Sequence, residues 1–305
     1  MAGKRKAKTK SKINSLIFIA LAVLLAVFGV SRTDFSSDDS LTLDDGNIAV
    51  YFVDVGQGNC TVIRSGNEGV LIDAGEREYS SKVLTFLEEN GITRLRYVIA
   101  SHPHSDHIGA MPAVLDKLDT DEIFLPYIAD KYAPTSKTYI NLLSTVDERD
   151  IKAEFLDENK TLDFNGVKIE ILTPVEQTNS YNNMSLITKI EYGDMSALIL
   201  ADAENKEINS VMKANRSFDF SSYVIMLGHH GSNTSLNETL MTKSDSEIAI
   251  ISCGKDNSYG HPHKEVTDYL EETDTEYYRT DESGTVSLIT DGKKYNIITE
   301  KGGAA

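Results

Sequence analysis

The pattern of apolar and polar positions changes character twice along the chain. Residues 13–30 are apolar apart from Asn14 and Ser15 near the start. Eighteen such residues are at the short end of what spans a hydrocarbon core about 30 Å thick. Residues 31–46 lose the pattern. They are rich in Ser, Thr and Asp and read as an extended, solvated linker. From residue 47 the apolar positions return in short runs. Residues 47–53, 61–64 and 70–73 read as strands, with a turn at Ser65-Gly66-Asn67. Residues 80–90 follow a helical period that Gly91 stops. A strand at 96–100, a helix at 110–118, a strand at 122–125 ended by Pro126 and a helix at 136–149 complete a first half.

The second half opens with strands at 153–156, 167–172, 185–192 and 196–200, then a helix at 204–214. Strands at 223–227 and 248–253, a helix at 264–272 and closing strands at 277–279, 285–290 and 294–299 follow. Each half mixes strands with helices. The pattern therefore predicts an α/β protein with two sheets face to face and helices outside. That is a four-layer αββα sandwich over residues 47–300, preceded by one N-terminal transmembrane helix.

Charge sharpens this picture. Lys4, Arg5, Lys6, Lys8, Lys10 and Lys12 precede the apolar segment, and residues 1–32 contain no acid. Such a flank stays cytoplasmic and sends the rest of the chain outside. Residues 1–12 are then a basic cytoplasmic tail and residues 13–30 a single-pass anchor in the cell membrane, with the folded domain extracellular. A cleaved signal peptide is the alternative, but Val27-Phe28-Gly29 matches a small-x-small site poorly. Past residue 32 the chain carries 23 basic against 47 acidic residues, a net −24. This repels polyanions over most of the surface, so tight binding of bulk duplex DNA is not expected. Cys60 and Cys253 lie in apolar, strand-like segments. Two buried free thiols are the favoured reading, and a disulfide is the alternative in an oxidising compartment.

All seven histidines fall in three short segments: His102, His104 and His107; His229 and His230; His261 and His263. That distribution points to one site assembled from three loops. His102 and His104, two apart in an extended loop, face the same way and can share a metal. Asp106 and His107 can turn to a second one. Two ions roughly 3.5–4 Å apart can clamp the attacking and leaving oxygens of a hydrolysis and lower the pKa of a water between them. Imidazole and carboxylate ligands suit two divalent ions, Zn foremost and Mn as an alternative. A bridging carboxylate is needed from elsewhere. Asp202, at the end of the apolar run 197–201, is placed to supply it, and His230 adds a further imidazole.

Further segments carry a family resemblance: Phe52-Val-Asp-Val-Gly-Gln-Gly58, Leu71-Ile-Asp-Ala-Gly75, Ser101-His-Pro-His-Ser-Asp-His-Ile-Gly109, Leu200-Ala-Asp-Ala-Glu204, Gly228-His-His-Gly-Ser232, Ile251-Ser-Cys-Gly254, Tyr259-Gly-His-Pro262 and Gly284-Thr285-Val286. With them the chain resembles metallo-β-lactamase-fold hydrolases. It is most similar to the domain at the C-terminus of ComEC-type DNA-internalisation competence proteins and their stand-alone relatives. The resemblance implies that His102, His104, Asp106, His107, Asp202 and one of His229 and His230 are metal ligands. It implies that Asp73 orients a ligand from behind. It also implies a nucleotide, a DNA end or a phosphodiester group of an envelope polymer as substrate.

One departure matters. The superfamily commonly has a metal-binding His between the first cluster and the bridging Asp, and here none lies between His107 and His229. Asn182-Asn183-Met184-Ser185 occupies that interval, and Asn is a weak ligand. Two metals of unequal affinity are therefore expected, the tighter at Asp106, His107, Asp202 and His230. Catalytic roles are expected of Asp106, of His229 toward substrate or as an acid, and of His261 toward a phosphate oxygen or the leaving group. His263 is expected at the surface or capping a helix. Gly56-Gln57-Gly58 reads as a tight turn beside the pocket, because no helix opens after it. The whole implies a membrane-anchored, extracellular, two-metal hydrolase acting through a metal-activated water on a small-molecule or polymer phosphodiester. Hydrolysis of a lactam, lactone or thioester is one alternative. A non-catalytic domain that holds metal and substrate is another.

Overall fold

Nine strands form the first of two sheets in a computed structural model that describes residues 36–37, 42–43 and 46–302. The basic tail and the apolar segment of residues 13–30 lie outside the described residues. Among those described, no helix is long and apolar enough to cross a membrane. The first sheet contains β1 (Ser36–Ser37), β2 (Ile48–Phe52), β3 (Thr61–Ser65), β4 (Glu68–Ile72), β5 (Arg94–Ile99), β6 (Asp119–Pro126), β7 (Lys152–Leu156), β15 (Val286–Thr290) and β16 (Lys294–Thr299). Across the sheet they run β1-β16-β15-β2-β3-β4-β5-β6-β7. The second sheet contains β8 (Lys160–Phe164), β9 (Val167–Leu172), β10 (Ile187–Tyr192), β11 (Met195–Ile199), β12 (Val224–Met226), β13 (Ile248–Ile251) and β14 (Glu276–Arg279). Its order is β14-β13-β12-β11-β10-β9-β8.

The pattern of the strands explains the layers. Ala49, Tyr51, Val62, Leu71, Val98 and Ile123 pack with Val83, Leu87, Val114, Leu115 and Leu142 from helices Ser80–Glu89, Met111–Lys117 and Lys137–Glu148. Leu198, Ile225 and Ala249 pack with Ile208, Leu240, Val266 and Leu270 from helices Asn205–Ala214, Glu238–Ser244 and Lys264–Glu272. Successive strand residues point to opposite faces. The alternate positions Val50, Ile63 and Phe124 of the first sheet and Ile199, Met226 and Ile250 of the second are buried too. The two sheets meet where Thr61 Oγ1 of β3 donates to Met226 Sδ of β12 at 3.5 Å. This is the predicted αββα arrangement.

Parallel pairing decides where function can sit. β4 through β7 are parallel neighbours, as are β11 through β14. Their C-terminal ends therefore open on shared edges, where loops meet.

Several elements escape the apolar pattern, among them β1, which pairs Ser36 and Ser37 with Lys294 and Tyr295 inside the segment expected to be a solvated linker. Strand β8 alternates over only five residues. Helix Glu238–Ser244 is announced only by Asn237, whose side chain accepts the Leu240 N–H at 3.0 Å. The short helices Ser105–Ile108 and Thr280–Ser283 bury too few apolar residues for any period. Cys60 and Cys253 are both free and buried.

Candidate metal centre

Asp73 follows β4 directly and takes φ 57°, the left-handed region that few non-glycine residues enter. The bend turns its carboxylate beneath the loop that leaves β5. Ser101 N–H donates to Asp73 Oδ1 at 2.8 Å, and Ser101 Oγ donates to Oδ2 at 2.6 Å. His107 Nδ1 lies 2.6 Å from the same Oδ2. A carboxylate at Nδ1 holds the proton there and leaves Nε2 to face inward. His102 Nδ1 is tied in turn, 3.1 Å from Ser101 Oγ. His230 Nδ1 lies 3.0 Å from the Ser252 carbonyl oxygen, which follows β13. Three imidazoles are thus held from behind.

The Nε2 atoms converge on Asp202, which follows β11. Its Oδ1 lies 3.1 Å from His107 Nε2 and 3.7 Å from His230 Nε2. Its Oδ2 lies 3.7 Å from His102 Nε2 and 3.8 Å from His229 Nε2. Asp106 Oδ2 is 3.1 Å from His230 Nε2, and His104 Nδ1 is 3.0 Å from His102 Nε2. Two ligand sets result: Asp106, His107, Asp202 and His230, and a smaller one of His102, His104 and Asp202. In each, the ligand atoms lie within 4.8 Å of one another.

The electrostatics suit a cation. Burial opposes charge on Asp202, but His107 and His230 outweigh it and hold its carboxyl well below the usual range. Burial likewise opposes charge on Asp106, and the His230 hydrogen bond and the His107 charge overcome it. His107 would lose its proton to burial, yet Asp202 and Asp73 hold its pKa well above that of free imidazole. His102 and His104 are pushed down by burial. A further detail is that His107 Nε2 and Asp202 Oδ1 are both buried and, though 3.1 Å apart, are not aligned for a hydrogen bond with each other or with any other group. Such an orphan costs about 1–3 kcal/mol. A divalent ion gives both atoms a partner, so this cluster fits a two-metal site.

His229 and His230 both adopt left-handed backbone, at φ 52° and 57°. Strain of this kind costs on the order of 1–3 kcal/mol per residue and concentrates at functional sites. His229 N–H donates to the Ala201 carbonyl at 2.8 Å, joining this turn to the residue before Asp202. The His229 side chain is a quarter exposed. Its Nε2 is 3.3 Å from Asn182 Nδ2, and its Nδ1 is 3.3 Å from Thr234 Oγ1. Asn183 turns away to donate to Glu204 at 2.8 Å. His261 reaches the same pocket, with its ring 5.5 Å from that of His229. Burial and the neighbouring His230, His229 and His263 push its pKa down to about 4. His263 sits at the start of helix Lys264–Glu272, but its side chain does not cap it. It accepts instead from Asn233 N–H at 3.0 Å.

These groups open on a cleft of about 750 Å³ lined by six carboxylates, Asp54, Glu76, Glu78 and Asp281 among them, and by two lysines, Lys255 and Lys301. Several supporting residues complete the site. Ser101 ties three site residues together. Ser105 Oγ donates to Glu76 Oε1 at 2.7 Å and steadies the helix bearing Asp106. Gln57 was legible only as part of a turn. These residues lie inside stretches that carry the family resemblance, but a single Ser or Gln has no spacing of its own that announces a supporting role.

Residues 53–175 match the family model of the metallo-beta-lactamase superfamily. The chain is 28% identical over 256 residues to ComE operon protein 3 of Bacillus subtilis (strain 168), covering 78% of this chain and 32% of that one. It is 28% identical over 272 residues to Recombination protein 2 of Haemophilus influenzae, covering 87% of this chain and 32% of that one. The chain thus spans about a third of the length of these curated relatives. Among solved structures it is similar to the metallo-beta-lactamase fold protein YhfI of Bacillus subtilis, with TM-score 0.51 and 14% identity, covering 79% of this chain and 99% of that one.

Proposed function

The chain is a metallo-β-lactamase-fold protein, and on that premise we infer that it is a metal-dependent hydrolase of phosphodiesters on small molecules or polymer ends. The observation that supports this most is the placement of Asp202, with one oxygen toward each ligand set. His102, His104 and Asp202 would hold one ion, and Asp106, His107, Asp202 and His230 the other. Two such ions, Zn or Mn, supply a water of lowered pKa and neutralise charge that develops on the phosphoryl oxygens. Asp106, partly exposed to the cleft and held ionised, is placed to take the proton of the attacking water. His229 and His261 face the substrate from the opposite loops.

Charge narrows the substrate. The carboxylate-lined cleft and the net −24 beyond residue 32 favour a short substrate over bulk duplex DNA. A relative named a recombination protein supports a nucleotide or DNA end, and an envelope-polymer phosphodiester meets the same chemistry. We place residues 13–30 in the membrane and the hydrolase domain outside the cell, because six positive charges precede that apolar segment.

The test is hydrolysis of bis(p-nitrophenyl) phosphate by the full chain in detergent. Zn or Mn should be required and a chelator should abolish turnover. Asp106→Ala should lower the rate by at least about 100-fold, above the 10–100-fold typical of losing an outer hydrogen-bond partner. No turnover with either metal, or a variant equal to the parent, would defeat the reading. Turnover of a lactam, lactone or thioester in its place would move the activity to another bond.

A further inference from the structure

We propose that Gln57 fixes the tautomer of His261, so that this imidazole presents an Nε2–H donor to the substrate beside the metal centre. Gln57 sits at the tip of the Gly56-Gln57-Gly58 turn between β2 and β3. Gly58 has φ 152°, and an added Cβ would press on the Asp106 carbonyl oxygen. Asn59 N–H donates to that same oxygen at 3.1 Å. The turn is therefore packed against the metal loop, and the place of Gln57 is set by the loop that carries Asp106.

The orientation of the amide follows from its partners. Gly254 N–H donates to Gln57 Oε1 at 3.0 Å. This assigns oxygen to that side and directs Nε2 at His261 Nδ1, 3.4 Å away. An amide nitrogen only donates, so His261 Nδ1 must accept, and the proton of the neutral ring resides on Nε2. The loop permits little else. Asn257 Oδ1 accepts the His261 N–H at 3.0 Å, and Asn257 Nδ2 donates to the His261 carbonyl at 2.6 Å. Tyr259 stacks on the imidazole with centroids 5.6 Å apart. Backbone and ring plane are both held, and Nε2 is the nitrogen left for the cleft that His261 lines.

His261 is then a hydrogen-bond donor toward a phosphoryl or leaving-group oxygen, and not a base. Gln57 is a positioning residue acting through it. The catalytic consequence rests on the hydrolase reading, whereas the tautomer does not.

Imidazole-nitrogen NMR of the full chain with isotope-labelled histidine reads the tautomer without any turnover. The parent should show His261 protonated at Nε2. Gln57→Glu, whose carboxylate accepts, should move the proton to Nδ1. It should lower kcat by about 10–100-fold, as losses of ligand-orienting partners do, with KM little changed, and should have no further effect in a His261→Ala background. An Nδ1–H tautomer in the parent, or one unmoved in Gln57→Glu, would overturn the proposal. So would a moved tautomer with unchanged kcat in an active protein. A parent with the expected tautomer but no phosphodiesterase activity would instead defeat the hydrolase reading and leave Gln57 as the residue that sets His261.

Discussion

Asp73 shows how much of the site depends on one side chain that need not touch a metal. Buried and bent into left-handed backbone, it accepts from Ser101 twice and holds His107 at Nδ1. Asp73→Asn keeps the size but removes one acceptor and the charge. Metal affinity at the Asp106, His107, Asp202 and His230 set should fall by about 10–100-fold, with little change in far-ultraviolet circular dichroism. Competition against a chromophoric chelator measures it, and unchanged affinity would contradict the role. At this scale the ligands were legible, because His-x-His-x-Asp-His is a spacing that two metals require. Ser101, Gln57 and the Ser252 carbonyl were not, since their roles depend on neighbours distant in the chain.

Elements transmit these contacts. The turn at Gly56–Gly58 abuts the short helix Ser105–Ile108 at Gly58 and Asp106. Gly58→Ala puts a methyl against the Asp106 carbonyl oxygen and a side chain at φ 152°, a region that favours glycine. It should displace Asp106 and weaken the tighter metal while altering no ligand. Metal analysis after gel filtration checks this, and full metal content would contradict it. A different element supplies a pH prediction. Glu207 on helix Asn205–Ala214 accepts the Val175 N–H at 2.7 Å. Burial raises its pKa, and the Val175 bond offsets this only in part. A group whose pKa is raised on folding stabilises below its unfolded pKa and loses that contribution as pH rises through the folded one. Glu207→Gln keeps an acceptor for Val175 and removes the titration. It should melt higher than the parent at neutral pH, by a few degrees given about 2–4 °C per kcal/mol at this size, and the gap should close in acid. A parent that melts higher at neutral pH would refute this. Strands such as β2 and β11 were legible from apolar runs. Helix Ser105–Ile108 was not, because His104, Ser105 and the metal loop shape it and hydrophobic burial does not.

At the scale of the molecule, the site joins the two sheets. Asp73 and the first His cluster follow β4 and β5, whereas Asp202, His229 and His230 follow β11 and β12. Metal at Asp202 therefore ties one sheet to the other, and binding should stabilise the fold. At 100 times Kd the gain is about 2.7 kcal/mol, or roughly 5–10 °C in Tm at 2–4 °C per kcal/mol. Calorimetric melting with and without a chelator would read it, and an unchanged Tm would show that the metal does not link the sheets. The two-sheet plan was visible in the chain as two mixed runs of strand and helix. The segregation of every histidine into three segments announced one site. A bridging role for Asp202 was legible from its place at a strand end, but the pairing of each of its oxygens was not, since its histidine neighbours arrive from the loops after β5 and β12.

The unequal ligand sets carry the central claim. Four side chains gather at Asp106, His107, Asp202 and His230, and three at His102, His104 and Asp202. Titration calorimetry of the metal-stripped full chain with Zn measures this directly. Two equivalents should bind, the first at least about tenfold tighter, or ~1.4 kcal/mol. Asp106→Ala should remove the tight step and His104→Ala the weak one. Two equally tight equivalents, or no binding at all, would contradict the account.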